Sequence, residues 1–183
     1  MAKTVYFDTS VFLEMGSKKS KISKEIKALL KELAEERVRI YTSVITVQEV
    51  SVAAYRRGAL TKDTYGDIQA LARIYGVTKD VVLTAAHREA EMKDEFDDRL
   101  AKRNPKTPET EDEKLDRICG NRRRKWDCFH IATAQSIGCP TIYSTDAGMQ
   151  KRPAQLGLKN IKVVPPKPTE PTIEGPLFQG EKK

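Results

Sequence analysis

Short apolar runs alternate with longer stretches of helical periodicity along most of the chain, and this alternation constrains the fold more than any other feature. Thr4–Phe7 and residues 38–42, 141–144 and 161–164 have the length and the β-branched or aromatic content of buried strands. Between the first two, Ile22, Ile26, Leu29, Leu30 and Leu33 recur at helical spacing among Lys and Glu residues, the pattern of an amphipathic helix. Strands that alternate with helices predict a parallel sheet covered on both faces. The expected fold class is therefore α/β, a three-layer α/β/α domain with right-handed crossovers.

Further helices are predicted over residues 9–13, 44–57 (after a cap at Ser43 and before Gly58), 61–75, 80–102, 113–118, 127–137 (before Gly138) and 146–156, the last bent at Pro153. Val77 opens a brief strand or a turn. Breaks fall at 16–20, at 104–112 with its two prolines, and at Gly120-Asn121. The expected organisation is a single domain over residues 1–164, with a charged insertion at about 97–125. A Pro-rich extended tail follows over 165–183, with Leu177 and Phe178 as its strong apolar anchors.

Composition narrows the classes. With 183 residues, 39% of them hydrophobic and 32% charged, the chain is long enough to bury a core without staples. No apolar run approaches the roughly 20 residues of a membrane span, and the amino terminus lacks the pattern of a signal peptide, so a cytoplasmic protein with no membrane partner is expected. The net charge of +7 favours polyanionic partners. Cys119, Cys128 and Cys139 are odd in number and form no C-x-x-C pair, which argues against a zinc site or a disulfide framework. Cys128 and Cys139 read as small packing residues.

Four acids stand out by position. Asp8 follows the apolar run Val5-Tyr6-Phe7 and precedes Thr9-Ser10; Asp146 follows Ile142-Tyr143-Ser144-Thr145; Asp127 opens the stretch Asp127-Cys128-Phe129-His130-Ile131-Ala132-Thr133-Ala134; Glu49 lies among Val44, Ile45, Val47, Val50 and Val52. Open parallel sheets gather their chemistry at the carboxyl ends of the strands. Taken singly, Asp8, Asp127 and Asp146 also read as helix N-caps, and Glu49 as a surface acid paired with Arg56 or Arg57. Convergent carboxylates repel one another when empty, and a hard divalent cation relieves that repulsion.

The joint pattern resembles the PIN-domain family of metal-dependent nucleases over most of residues 3–164. The order of the acids, their local contexts and the 19-residue step from Asp127 to Asp146 carry the resemblance. It implies that Asp8, Glu49, Asp127 and Asp146 are the catalytic and metal-binding residues, that Thr9, Ser10 and Thr145 support them, and that the cofactor is Mg2+ or Mn2+. The implied activity is hydrolysis of RNA phosphodiester bonds by an endoribonuclease that leaves 5′-phosphate and 3′-hydroxyl ends, without a covalent intermediate. A compact chain of this kind most resembles a VapC-type toxin of a type II toxin–antitoxin pair. That subclass implies a homodimer and a cognate antitoxin. The alternatives are an RNA-processing or DNA-directed PIN nuclease, or a non-catalytic nucleic-acid-binding module that keeps the fold. The insertion near 97–125 and the Pro-rich tail depart from the compact family pattern.

Other residues carry two readings each. Arg122, Arg123, Arg124 and Lys125 precede Asp127 and suit the phosphates of a substrate; they also suit a solvated loop that pairs with the acidic residues before it. Trp126 reads as boundary packing rather than a base-stacking platform. His130, one turn after Asp127, reads as a structural, hydrogen-bonded histidine rather than a general base.

Overall fold

The computed structural model describes residues 3–16, 20–58, 63–101 and 111–169, and the side chains among these except at 93–101 and 112–123. Along the chain come β1 (Thr4–Phe7), α1 (Thr9–Met15), α2 (Lys21–Glu35), β2 (Arg39–Ser43), α3 (Val44–Arg56), α4 (Thr64–Gln69), β3 (Arg73–Tyr75), α5 (Lys79–Ala101), α6 (Glu111–Ile137), β4 (Thr141–Tyr143), α7 (Ala147–Gln155) and β5 (Lys162–Val164). Among the described residues, no helix is long and apolar enough to cross a membrane.

The five strands form one all-parallel sheet in the order β3-β2-β1-β4-β5. β1 is central: Tyr6 registers with Tyr41 of β2 on one side and with Ile142 of β4 on the other. The chain builds outward from β1 through β2 to β3, then returns to the opposite side for β4 and β5. The order therefore reverses between β1 and β4, which is where open α/β sheets form their ligand crevice.

Alternation along β1 divides the core. Val5 and Phe7 face one side and pack with Val11 and Phe12 of α1, Ile26, Leu29 and Leu33 of α2, and Ile68 of α4. Tyr6 faces the other side, with Ile131 and Ala134 of α6, Ile142 of β4 and Met149 of α7. This is the period of two expected of a strand buried on both faces, and it gives the three layers. A smaller cluster, Val81, Ala85 and Met92 against Cys128 and Ala132, joins α5 to α6.

Helix starts follow local chemistry. Asp8, Ser43, Asp63 and Asp146 cap α1, α3, α4 and α7, each accepting a backbone N–H at the helix start. Gly138 ends α6 at φ +74°, where the Cys139 N–H returns to the Ala134 carbonyl at 2.9 Å.

Several expectations change. Residues 61–75 do not form one helix: α4 stops at Gln69, and Arg73-Ile74-Tyr75 pair with Tyr41-Thr42-Ser43 as an edge strand. Ile68, Ala72 and Tyr75 keep helical spacing, but pairing with β2 and the β-preference of Ile and Tyr override it. Gly120 and Asn121 do not break the chain, because α6 runs unbroken from Glu111 to Ile137; one interior Gly costs a helix only about 1 kcal/mol. Asp127 is consequently inside a helix rather than at its start, and residues 122–125 are helical rather than a loop. Much of the expected charged insertion is likewise the helical backbone of α5 and α6. The predicted loop at 104–112 lies outside the described residues up to residue 110, as does the middle of the break at 16–20. In the tail, Pro166 is buried and the Thr169 N–H donates to Glu32 Oε2 of α2 at 2.8 Å. Residues 170–183, with Leu177 and Phe178, lie outside the described residues.

Candidate active site

At the carboxyl end of β1 the chain turns straight into α1, and Asp8 stands at the turn, 7% exposed. Its Oδ1 accepts the Thr9 N–H at 2.7 Å. Its Oδ2 accepts the hydroxyls of Ser10 at 2.8 Å and of Ser144 at 2.7 Å. Ser144 sits just past β4, so this second bond crosses the point where the strand order reverses. The Thr145 N–H donates to Ser10 Oγ at 2.9 Å, and the Asp146 N–H to Ser144 Oγ at 3.1 Å. The Ser144 hydroxyl and the Thr145 amide thereby tie the end of β4 to Asp8 and Ser10 at the end of β1.

Glu49 reaches the same place from α3. Its Oε2 accepts the Thr9 hydroxyl at 2.5 Å and lies 3.4 Å from His130 Nε2. His130, almost fully buried on α6, has its Nε2 3.4 Å from Asp8 Oδ1 and its Nδ1 2.7 Å from the Tyr6 hydroxyl. Burial opposes a charge on this imidazole, but Asp8, Glu49 and Asp127 together outweigh it and raise the His130 pKa. Glu49 shows the converse balance: burial pushes its pKa up, and the contacts with His130 and Thr9 bring it below the usual carboxylate value.

Asp146 is the N-cap of α7, and its Oδ1 accepts the N–H groups of Gly148 and Met149 at 2.6 and 3.3 Å. Asp127, one turn before His130, accepts from Arg152 Nε at 2.8 Å. Burial raises its pKa to about 6 against the opposing pull of Arg152, with Asp8 and Asp146 adding repulsion.

All four acids open onto one cleft, shared with Thr9, Ser10, Leu13, Trp126 and His130. Of the expected supporting residues, Thr9 and Ser10 touch Glu49 and Asp8 through their hydroxyls, and Thr145 joins through its backbone amide. Trp126 is partly exposed at the cleft and packs 5.9 Å from Phe129. Lys125 is exposed; the side chains of Arg122 and Arg123 lie outside the described residues. Three members escape sequence reasoning: Ser144, His130 as the link between Asp8 and Glu49, and Arg152. A hydroxyl one residue beyond β4 was the available signal for Ser144. Nothing local marks Arg152.

The donor set is all carboxylate oxygen, which suits a hard divalent cation, and the mutual repulsion felt by Asp127 is what such an ion relieves. The expected cup is nevertheless not closed. Among the described residues, no three Asp, Glu, His or Cys side chains stand together so as to hold a metal ion. Asp127 is engaged by a guanidinium, and Asp146 caps its helix through Oδ1.

Fold and cleft together define a parallel α/β domain with carboxylates gathered at the crevice beside its central strand. The sequence model of the PIN domain matches residues 5–155, and the chain belongs to the PIN domain family. No curated protein sequence matches it significantly. Among solved structures, a chain of VapBC-1 from nontypeable Haemophilus influenzae shares the fold, with a TM-score of 0.51, 12% identity, and coverage of 89% of this chain and 98% of that one. VapC20 of Mycobacterium tuberculosis, a toxin that cleaves the sarcin–ricin loop, matches with a TM-score of 0.46 and 15% identity, over 86% of this chain and 98% of its own.

Proposed function

We propose that this chain is a divalent-cation-dependent endoribonuclease acting in the cytoplasm, the toxin of a type II toxin–antitoxin pair. PIN domains are nucleases. The observation that carries the reading is that Asp8, Glu49, Asp127 and Asp146, from four separate segments, open onto one cleft at the β1–β4 crevice. Asp8, Glu49, Asp127 and Asp146 are the residues that would hold Mg2+ or Mn2+. When bound, such an ion offsets charge on the phosphate and lowers the pKa of a water. The chain's own part is to fix the acids. Ser10 and Ser144 orient Asp8, Thr9 and His130 orient Glu49, and the α7 amides orient Asp146. Lys125, with Arg122, Arg123 and Arg124 on the same helix, is assigned to the phosphate backbone of the RNA.

The toxin part of the reading extends the VapBC-1 likeness from fold to role, and with it come an antitoxin partner and a homodimer. The deciding experiment is cleavage of single-stranded RNA by wild type and Asp8→Asn with Mg2+, Mn2+ or EDTA. Full cleavage by the variant, or by wild type in EDTA, ends the nuclease assignment. Growth arrest on expression, relieved by Asp8→Asn and by the product of an adjacent reading frame, tests the toxin part.

The Asp127–Arg152 pair supports a second reading, a nucleic-acid-binding module without catalysis. It predicts RNA binding with no saturable Mn2+ binding and no cleavage.

A further inference from the structure

Arg152 bears no resemblance to the expected site pattern, yet among the described residues it makes the shortest ion pair of the cleft. Its Nε donates to Asp127 Oδ2 at 2.8 Å, and both side chains are only 15% exposed. Its Nη1 also donates to Gln155 Oε1 at 2.9 Å, which fixes the plane of the guanidinium. The backbone beneath is equally placed. Met149 and Pro153 bury one face of α7, and Asp146 anchors the helix start with two N–H contacts. One short helix thus delivers an acid to the cleft and, six residues later, a cation that binds a different acid of the same cleft.

We propose that Arg152 is the resident counter-ion of the acidic cleft, a positioning residue that holds Asp127 against α7 and that a divalent cation must displace. This rests on the reading of the cleft as a cation site. A guanidinium and a divalent ion compete for the same carboxylate, and the fixed positive charge repels the incoming ion. The contact keeps one Asp127 oxygen engaged in a carboxylate set that, among the described residues, does not close on a metal as it stands. Arg152 therefore lowers the affinity of the cleft for the ion, whereas an arginine that merely staples α6 to α7 leaves that affinity alone.

The test is Mn2+ binding to the RNA-free protein by calorimetry. Arg152→Gln is expected to bind Mn2+ about tenfold more tightly than wild type, equivalent to about 1.4 kcal/mol, and the gain is expected to vanish in an Asp127→Asn background. Unchanged or weaker binding by folded Arg152→Gln overturns the proposal, and so does a gain that survives without Asp127. A second measurement needs no variant. In an NMR titration of wild type with Mg2+, the Arg152 Nε–H signal is expected to shift and lose its protection from exchange in step with saturation. A signal that does not move at saturation overturns the proposal and leaves the nuclease reading intact. Wild type that binds neither ion overturns both.

Discussion

The hydroxyl of Ser144 donates to Asp8 Oδ2 across 2.7 Å and joins residues 136 positions apart. Through this bond the end of β4 orients the acid at the end of β1. Replacing Ser144 with Ala leaves Oδ2 the Ser10 hydroxyl as its remaining described hydrogen bond. Partners that orient metal-binding carboxylates typically matter about 10- to 100-fold. Ser144→Ala is expected to lower RNA cleavage by about tenfold while the protein stays folded; kinetics beside circular dichroism check it.

Asp8 caps α1, and the proposed function gives it a second task at the cation site; one substitution separates the two. Asn is an N-cap as good as Asp, so Asp8→Asn is expected to keep thermal stability within about 1 kcal/mol while cleavage falls to background. A melting curve measured beside the cleavage assay decides whether the activity is lost through chemistry or through folding.

The Tyr6–His130 contact is fully buried. Tyr6→Phe removes the hydroxyl and leaves His130 Nδ1 without its described partner, at a cost of about 1–3 kcal/mol. Urea denaturation is expected to show a lower midpoint with an unchanged slope. A midpoint equal to that of wild type would mean that the ring nitrogen finds another partner.

Burial pushes the Cys128 thiol up to about 12 and raises that of Cys139. The thiolate is the nucleophile, and a raised pKa means less of it at any lower pH. At pH 8 only about 1 in 10,000 Cys128 side chains is ionised, by the four-unit gap. Both cysteines are expected to resist iodoacetamide in the native protein and to react fully in urea, as peptide mass spectrometry reads directly.

Leu29 lies 1% exposed between α2 and the sheet. Leu29→Ala is expected to cost about 2–5 kcal/mol, the transfer term plus the cavity left behind. The cleft lies at the strand ends, away from this contact, so specific activity below the melting temperature is expected to change little.

What was legible in the sequence was what local pattern determines. Val5-Tyr6-Phe7 followed by Asp8-Thr9-Ser10 reads as a strand that turns into a helix, and the structure places that junction at the cleft. Asp146 is visible for the same reason, and Glu49 because an acid among valines calls for a partner. What stayed hidden depends on contacts between distant segments. Arg73-Ile74-Tyr75 becomes a strand only because β2 lies beside it. The continuity of α6 through Gly120 is a matter of small energies that no motif announces. Arg152 looks like one more surface cation of a basic chain until α7 is set against α6.

β1 lies at the middle of the sheet, and its two neighbours are made far apart in time: β2 is the next strand synthesised, whereas β4 follows only after β3, α5 and α6. A nascent polypeptide can therefore assemble one wall of the cleft long before the other exists. Asp127, Ser144 and Asp146 are made after Asp8 and Glu49, so the cleft gains its full set of acids only once β4 and the start of α7 have been synthesised.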